Sequence, residues 1–528
     1  MRSLSLHPCV KAPTLLAILT GILIGTSYIP FPPWAIFFGF LPLWMAWMRA
    51  NSWKQVLWTG WLAQFVFNLI GFNWIAYTVH EFGHLPWPVA IVVLILYCGF
   101  ANLYVPLVGL AWWTLQRKLH LSYWGRAWAL VPLMMAGQRL FPMIFDWHTG
   151  YTWLWAGFPA FHLADMVGFV GLSDVGWLFN GILFQALLLY LYREGRSWIG
   201  WALSVPLVFG FLNLWGYRHG QHTPVSDQSL NFLIVQANIG NQEKLLAEGG
   251  GDFRTTVIQR FQQLSERGVV QNQNTDFIVW PETAFPEILP HRDMLTGYSF
   301  RLRQMITGLQ TPLITGGYGR HEATGQITNS FFVLGKDGTW LAPPYHKTVL
   351  LAFGEYFPGA TYFPILRSKF PEVGDFGRGP GPSVLQTDRV RLGAQICYEG
   401  LFDWFTRDLA NNGAEVVVNL TNDSWYGTWM QPYQHLYMTL ARAVEVRRPL
   451  VRSTNTGIST VILASGQILE LSPLHEEWFH LYEVPYASNP PRTVFMGWGF
   501  WFFPALILLG LVLVVWKGRE HNDQSGLG

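Results

Sequence analysis

The sequence predicts an α/β protein of the membrane, with a layered α/β block inserted between the last two of about eight transmembrane helices. Three observations predict it. Only 12% of the 528 residues are charged and 51% are hydrophobic, against roughly 25% charged in a soluble globular chain. The charge deficit falls on residues 12–216 and 494–516, whereas 224–487 has the make-up of a soluble domain. Within that block, short apolar runs alternate with helical patterns and with hairpin signals, the order of a layered α/β fold. The expected division is a transmembrane domain of seven helices over 1–223, an extracytoplasmic α/β domain over 224–487, and a last helix with a cytoplasmic tail over 488–528.

A spanning helix needs about 20 mostly apolar residues. Residues 12–29, 33–49, 54–79, 86–116, 123–141, 164–192 and 197–215 offer seven such runs, and 496–516 offers the eighth. Pro30-Phe31-Pro32-Pro33 divides the first pair, and Leu85-Pro86-Trp87-Pro88 opens the fourth. Arg2 and Lys11, Arg49 and Lys54, Arg117, Lys118 and Arg126, Arg193 and Arg196, and Lys517 and Arg519 fall on alternate connections. Those are the cytoplasmic ones. The opposite loops hold His80, Glu81, His84, Asp146 and Asp165, with Arg139 as the main basic exception. An even number of spans with both ends inside puts the α/β block on the far side of the membrane. No small-residue cleavage pattern follows residue 29, which disfavours a cleaved signal peptide. The first block is also expected to lack the paired intramembrane charges of an ion-coupled pathway.

In the soluble block, strands are expected at 231–236, 276–280, 312–318, 329–334, 340–343, 390–396, 415–420, 450–454, 458–465 and 478–484. Helical patterns run over 252–268, 292–309, 402–412 and 430–447. Pro281 cannot donate to a ladder, so the second strand stops and Glu282 stands at its tip. Gly335-Lys336-Asp337-Gly338 is a hairpin signal. His346-Lys347 opens a long irregular stretch through 382 that contains Phe353-Gly354-Glu355-Tyr356-Phe357, and loops of that length are commonly functional or disordered.

Gln395-Ile396-Cys397-Tyr398-Glu399-Gly400 closes an apolar run and opens a helical pattern, a strand-to-turn junction that can carry a nucleophile. A buried structural thiol is the plain alternative. Of three cysteines, Cys9 precedes the first span, Cys98 lies inside the fourth, and Cys397 is the thiol of the soluble block. Glu282, Lys347 and Cys397 thus offer a carboxylate, an ammonium and a thiol on three separate strand ends or loops. Acyl transfer through a thioester needs a base, a positive group for the oxyanion, and the sulfur. A turn carboxylate and a solvated lysine are the ordinary readings of the first two taken singly.

Trp280-Pro281-Glu282, His346-Lys347 with Phe353-Gly354-Glu355-Tyr356, and Cys397-Tyr398-Glu399-Gly400 together resemble the nitrilase, or carbon–nitrogen hydrolase, superfamily. With its membrane flanks, nearly the whole chain is similar to the apolipoprotein N-acyltransferase family. The resemblance implies an αββα sandwich in which Glu282 is general base, Lys347 stabilises the tetrahedral intermediate and Cys397 is nucleophile. It further implies supporting roles for Glu355, Glu399 and Tyr398, the last through its N–H. A phospholipid acyl donor, phosphatidylethanolamine in the family, and an S-diacylglyceryl apolipoprotein acceptor follow from the same resemblance. So does a place in the bacterial inner membrane with the α/β domain periplasmic. One departure stands out: the tryptophan that many members carry after the Gln-x-Asn-Ile-x-Gln motif is replaced here by Leu245.

Phe353, Phe357, Trp425 and Tyr426 are the candidates for an apolar, water-excluding entrance, with core packing or interface anchoring as their alternative. No cofactor is expected, and His291, His321, His346 and His435 lack the spacing of a metal site. Arg442, Arg447 and Arg448 are read as partners of carboxylates. A net charge of +2 gives no case for nucleic acid. Two alternatives to acyl transfer remain: a membrane-tethered amidase or nitrilase with water as acceptor, and a non-catalytic binding module on a transporter-like membrane domain.

Overall fold

The computed structural model describes residues 12–240, 253–290, 294, 296–360, 362–363, 365 and 374–525. Arg2, Cys9, Lys11, the 241–252 loop with Leu245, and His291 lie outside the described residues, as do the side chains of Lys517 and Arg519. The chain folds as two compact units. One comprises Met1–Ala76, Pro86–His219 and Gly497–Gly528, the other Tyr77–Leu85 and Gly220–Met496.

The chain to Gly220 is helical: α1 (Pro13–Gly25), α2 (Leu41–Met48), α3 (Trp53–Gly71), α4 (Trp74–Glu81), α5 (Trp87–Phe100), α6 (Tyr104–Lys118), α7 (Tyr123–Leu140), α8 (Tyr151–Trp155), α9 (Ala164–Leu191) and α10 (Ser197–Gly220). Each of the eight apolar runs carries helix. Trp87–Lys118, Pro159–Leu191 and Ser197–Gly220 are long and apolar enough to cross a membrane, and α3 with α4, bent by 60°, is a fourth if the pair is one span. Pro13–Gly25 and Trp501–Leu513 are shorter apolar helices.

The break between α5 and α6 is held by side chains, as a break in an apolar medium must be. Asn68 of α3 donates to the carbonyls of Cys98 (3.2 Å) and Ala101 (3.0 Å). Asn102, left-handed at φ 59°, donates to Asn68 Oδ1 at 2.7 Å and accepts from the Trp147 indole at 2.8 Å. Arg139 of α7, which is part-buried, is ion-paired with Asp174 of α9, whose side chain is 1% exposed. Partners on separate helices, 35 residues apart, leave no local sequence pattern to read.

The second unit is built on two mixed sheets. Its strands are β1 (Gln228–Gln236), β2 (Phe277–Val279), β3 (Phe285–Ile288), β4 (Leu313–Arg320), β5 (Ile327–Leu334), β6 (Tyr345–His346), β7 (Val384–Gln386), β8 (Arg391–Ile396), β9 (Val416–Thr421), β10 (Leu450–Thr454), β11 (Thr460–Ile462) and β12 (Trp478–Tyr486). One sheet runs β12-β1-β2-β4-β5-β6 with β3 beside β4, and the other runs β11-β10-β9-β8-β7. The centre of each is parallel (β1/β2/β4 and β8/β9/β10) and the flanks are antiparallel.

Helices α11 (Phe253–Gln271) and α12 (Gly297–Leu309) form one outer layer, in which α11 packs on β1 and β12. Helices α13 (Asp403–Asn411) and α14 (Gln431–Val446) cover β8 and β10, and the sheets meet through β1 with β10 and β5 with β8. The layers are therefore αββα. Val257, Ile258, Phe261 and Leu264 of α11 lie on one helical face and seal the first core with Leu302, Met305 and Ile306 of α12. Between the sheets, Gln236 Oε1 accepts from the hydroxyls of Ser459 (2.8 Å), Ser472 (2.9 Å) and Thr454 (3.2 Å). The strand expected at 340–343 is reduced to a single bridge between Leu334 and Trp340, because Pro343 and Pro344 remove the next two donors. The last helix is α15 (Phe500–Ser525).

Candidate active site

Parallel strands deliver their carboxyl ends to one edge of a sheet, where side chains of the following turns converge. Strand β2 ends before Pro281, and Glu282 follows, buried to 7% with Thr283 left-handed at φ 48°. Gly316 of β4 backs this turn so closely that a Cβ there would lie 2.6 Å from Cα of Glu282. Only glycine admits that approach.

Lys347 leaves β6, which is paired to β5 through Ser330 and His346. Its N–H donates to the Asn329 carbonyl at 2.8 Å and its own carbonyl accepts from Gly379 N–H at 2.9 Å, so the backbone is gripped on both sides. The side chain is 2% exposed. Its ammonium donates to Glu355 Oε1 at 2.9 Å and to Glu282 Oε1 at 3.2 Å. Burial alone lowers the Lys347 pKa, but the carboxylates of Glu282 and Glu355 outweigh it and hold the lysine well above its ordinary value. Glu355 is fixed in turn by the Leu351 N–H, which donates to Oε2 at 2.9 Å.

Cys397 opens the turn Cys397–Leu401 immediately after β8, left-handed at φ 51° and 6% exposed. A non-glycine residue in that region stores strain that its surroundings must sustain. Burial pushes the thiol pKa up, Glu282 adds to the rise, and Lys347 opposes it. The sulfur is thus protonated at rest and lies within the field of both charged partners.

Glu399, two residues on, acts on the backbone. Its Oε1 accepts from the Tyr345 hydroxyl (2.5 Å), Thr348 N–H (2.6 Å) and Val349 N–H (3.0 Å), and its Oε2 accepts from Ile396 N–H (2.9 Å). One carboxylate therefore ties the turn after Cys397 to the loop after Lys347. Burial pushes its pKa up to about 7. The Tyr398 ring packs edge-on against Phe402 at 4.9 Å.

The four aromatic candidates divide. Tyr426 is buried, and burial pushes its phenol pKa well above the ordinary value. Trp425 packs edge-on against Phe82 at 4.5 Å. Phe353 is half exposed and meets Phe357 at 5.4 Å. Arg442 does pair with Glu445, at 3.1 Å, but Arg448 donates to the carbonyls of Ala414, Val446, Pro490 and Pro491, so its expected carboxylate role is replaced by backbone support.

Sequence reasoning missed Asn329, whose amide donates to Glu282 Oε1 at 2.7 Å and to Glu355 Oε1 at 3.0 Å. It also missed Tyr345 and Asp423. Asp423 carried a usable signal, since it follows β9 in the same kind of strand-end turn that presents Glu282 and Cys397. Asn329 and Tyr345 lie on β5 and β6 with no local cue.

Residues 233–482 match the family model for carbon–nitrogen hydrolases, and residues 20–182 match that for the apolipoprotein N-acyltransferase N-terminal domain. A curated apolipoprotein N-acyltransferase of Bdellovibrio bacteriovorus is 45% identical over 512 residues, covering 94% of this chain and 92% of that one. The chain belongs to the apolipoprotein N-acyltransferase family. More distant apolipoprotein N-acyltransferases, from Geobacter metallireducens (29% identical, 88% and 87% of the two chains) and Pseudomonas aeruginosa strain LESB58 (29%, 97% and 97%), match over almost the same extent. Membership in a family of apolipoprotein N-acyltransferases sets the hydrolytic alternative aside: the hydrolase match covers one region, whereas the acyltransferase relatives span nearly the whole length. The protein is an acyltransferase and a multi-pass bacterial membrane protein.

Proposed function

We propose that Cys397 carries the acyl group as a thioester between a phospholipid and the α-amine of a lipoprotein's N-terminal S-diacylglyceryl-cysteine. Glu282 takes the thiol proton as the sulfur attacks the ester carbonyl of the phospholipid. Lys347 faces the developing oxyanion. Collapse of the tetrahedral intermediate breaks the ester C–O bond, the proton passes from Glu282 to the departing oxygen, and a lysophospholipid leaves. The α-amine then attacks the thioester, Glu282 accepts its proton, the C–S bond breaks, and the sulfur recovers a proton. The product is an amide. Glu355 and Asn329 hold Lys347 and Glu282 in place, Glu399 secures the turn of Cys397, and the N–H of Tyr398 is the expected second oxyanion donor.

The observation that carries this reading is the buried Lys347 ammonium shared by Glu282 and Glu355 in the field of the Cys397 sulfur. A buried cation of this kind is costly to fold, and perturbed groups concentrate where chemistry is done. Intact-protein mass spectrometry tests it. Purified protein given phospholipid alone should gain one acyl mass on Cys397, discharged quickly by a lipopeptide amine and slowly by water. An unmodified Cys397, or an adduct insensitive to the amine, would defeat the thioester route.

The donor headgroup is taken as phosphatidylethanolamine by family likeness. The domains are taken as 1–223, 224–487 and 488–528, with the α/β domain on the periplasmic face of the inner membrane. The alternation of basic loops supports that orientation. Membrane-impermeant thiol labelling of single cysteines placed in the 193–196 and 80–84 loops of intact cells should mark only the latter, and the reverse pattern would invert the topology.

A further inference from the structure

The turn that carries Cys397 is also held by side chains of β9 and α14. Asn419 of β9 donates through Nδ2 to the Cys397 carbonyl at 3.4 Å, and Arg442 of α14 donates to the Leu401 carbonyl at 3.3 Å. Between those two carbonyls, a Cβ on Gly400 would lie 2.9 Å from Thr439 Cγ2 and 3.0 Å from Asn419 Nδ2. The turn is therefore pressed against these side chains.

Behind them lies Arg452 of β10, in register with Asn419 on the neighbouring strand and fully buried. Its Nη1 donates to Asn419 Oδ1 at 3.0 Å and to Thr439 Oγ1 at 3.2 Å, and its Nη2 donates to Asp423 Oδ2 at 2.8 Å. The other Asp423 oxygen meets His435 Nδ1 at 2.7 Å. Asn419, Asp423, His435, Thr439 and Arg452 are each at most 4% exposed.

A guanidinium donates and never accepts. Whatever amide oxygen lies against Arg452 is thereby fixed, and the Asn419 NH₂ is turned to the only side left, where the Cys397 carbonyl is. A buried ion pair is a weak route to stability, so an orienting task accounts for this network better than a stabilising one. We propose that Arg452 is a positioning residue for the nucleophile. Held at one end by Asp423 and His435, it sets the flip of the Asn419 amide, which in turn holds Cys397 in its left-handed conformation. The inference rests on the reading of Cys397 as nucleophile.

The test uses the full-length protein in detergent with a phospholipid of labelled acyl chain and a diacylglyceryl lipopeptide. Asn419→Asp keeps the acceptor for Arg452 and replaces the donor by an oxygen facing the Cys397 carbonyl. Arg452→Lys keeps the charge but loses the planar fork that reaches Asn419 and Asp423 together. Each should slow thioester formation roughly 10–100-fold, the range for a nucleophile displaced by a fraction of an ångström, with KM for both substrates and the melting temperature near those of the parent. The double variant should be no slower than the slower single one, because both act through one amide. Folded single variants with parental acylation rates would overturn the proposal, as would effects that multiply. If both variants unfold instead, the network is structural and the proposal fails. Cys397→Ala separates the two levels: an active Cys397→Ala protein defeats the nucleophile reading itself, while an inactive one beside a fully active Asn419→Asp protein defeats only this inference.

Discussion

The ammonium of Lys347 lies 3.2 Å from Oε1 of Glu282, although 65 residues separate them. Both side chains are buried, and the same ammonium is 2.9 Å from Glu355. Two carboxylates thus share one buried cation, and Lys347 and Glu282 both act on the Cys397 thiol.

Glu282→Gln keeps the shape of the turn and removes the proton acceptor. Thioester formation should slow by roughly 10²–10⁴-fold, the usual worth of a positioned base, with the melting temperature near that of the parent. A time course of the intact-protein mass after addition of phospholipid reads it. An undiminished rate would assign the base elsewhere.

Lys347→Met removes the cation and leaves Glu282 and Glu355 buried without it. Breaking a buried pair from one side costs about 3–5 kcal/mol, so this variant should melt well below the parent as well as lose activity. Lys347→Met with Glu355→Gln should recover part of the stability and none of the activity. Thermal unfolding of the three proteins in one detergent, with the acylation assay, distinguishes the two effects.

Gly316→Ala acts on the Glu282 turn through its backbone. Its Cβ would meet Cα of Glu282 at 2.6 Å, and both partners belong to the backbone of the sheet edge, so the turn has to shift. Activity should drop roughly 100-fold, as for a reacting group misplaced by about 1 Å, while binding of a phospholipid analogue persists. Parental kinetics would show that the turn accommodates the methyl group.

Glu399 gives the pH dependence. Burial lifts its carboxyl from 4.5 to about 7 against the pull of the Tyr345 hydroxyl and Ile396 N–H. Because the folded state binds this proton more tightly than the unfolded one, Glu399 stabilises the fold below pH 4.5 and that contribution is lost as the pH rises through 7. The parent's melting temperature should therefore decline across that window more steeply than that of Glu399→Gln, whose amide does not titrate. Parallel curves for the two proteins would exclude Glu399 as the source.

Much of the site was legible because strand ends announce themselves. Pro281 stops β2 one residue before Glu282, and an apolar run stops one residue before Cys397. Asn329 and Tyr345 were illegible for the opposite reason. Each sits inside a strand or at its start, where polarity reads as an exposed face, and only the pairing of β5 with β6 turns them toward Glu282 and Glu399. The Arg139–Asp174 pair was missed likewise, since nothing local links α7 to α9.

From sequence alone came the two-part architecture, the apolar runs, the three reactive residue types and their order along the chain. Composition and hydrophobic period are local properties, and burial follows from them directly. The tertiary structure alone decided which polar residues share a charge: that Lys347 divides itself between Glu282 and Glu355, and that Arg452 stands behind Asn419. The Lys347–Glu282 and Arg452–Asn419 contacts join segments 65 and 33 residues apart, so they exist only once the sheets have set the register that brings the strand ends together.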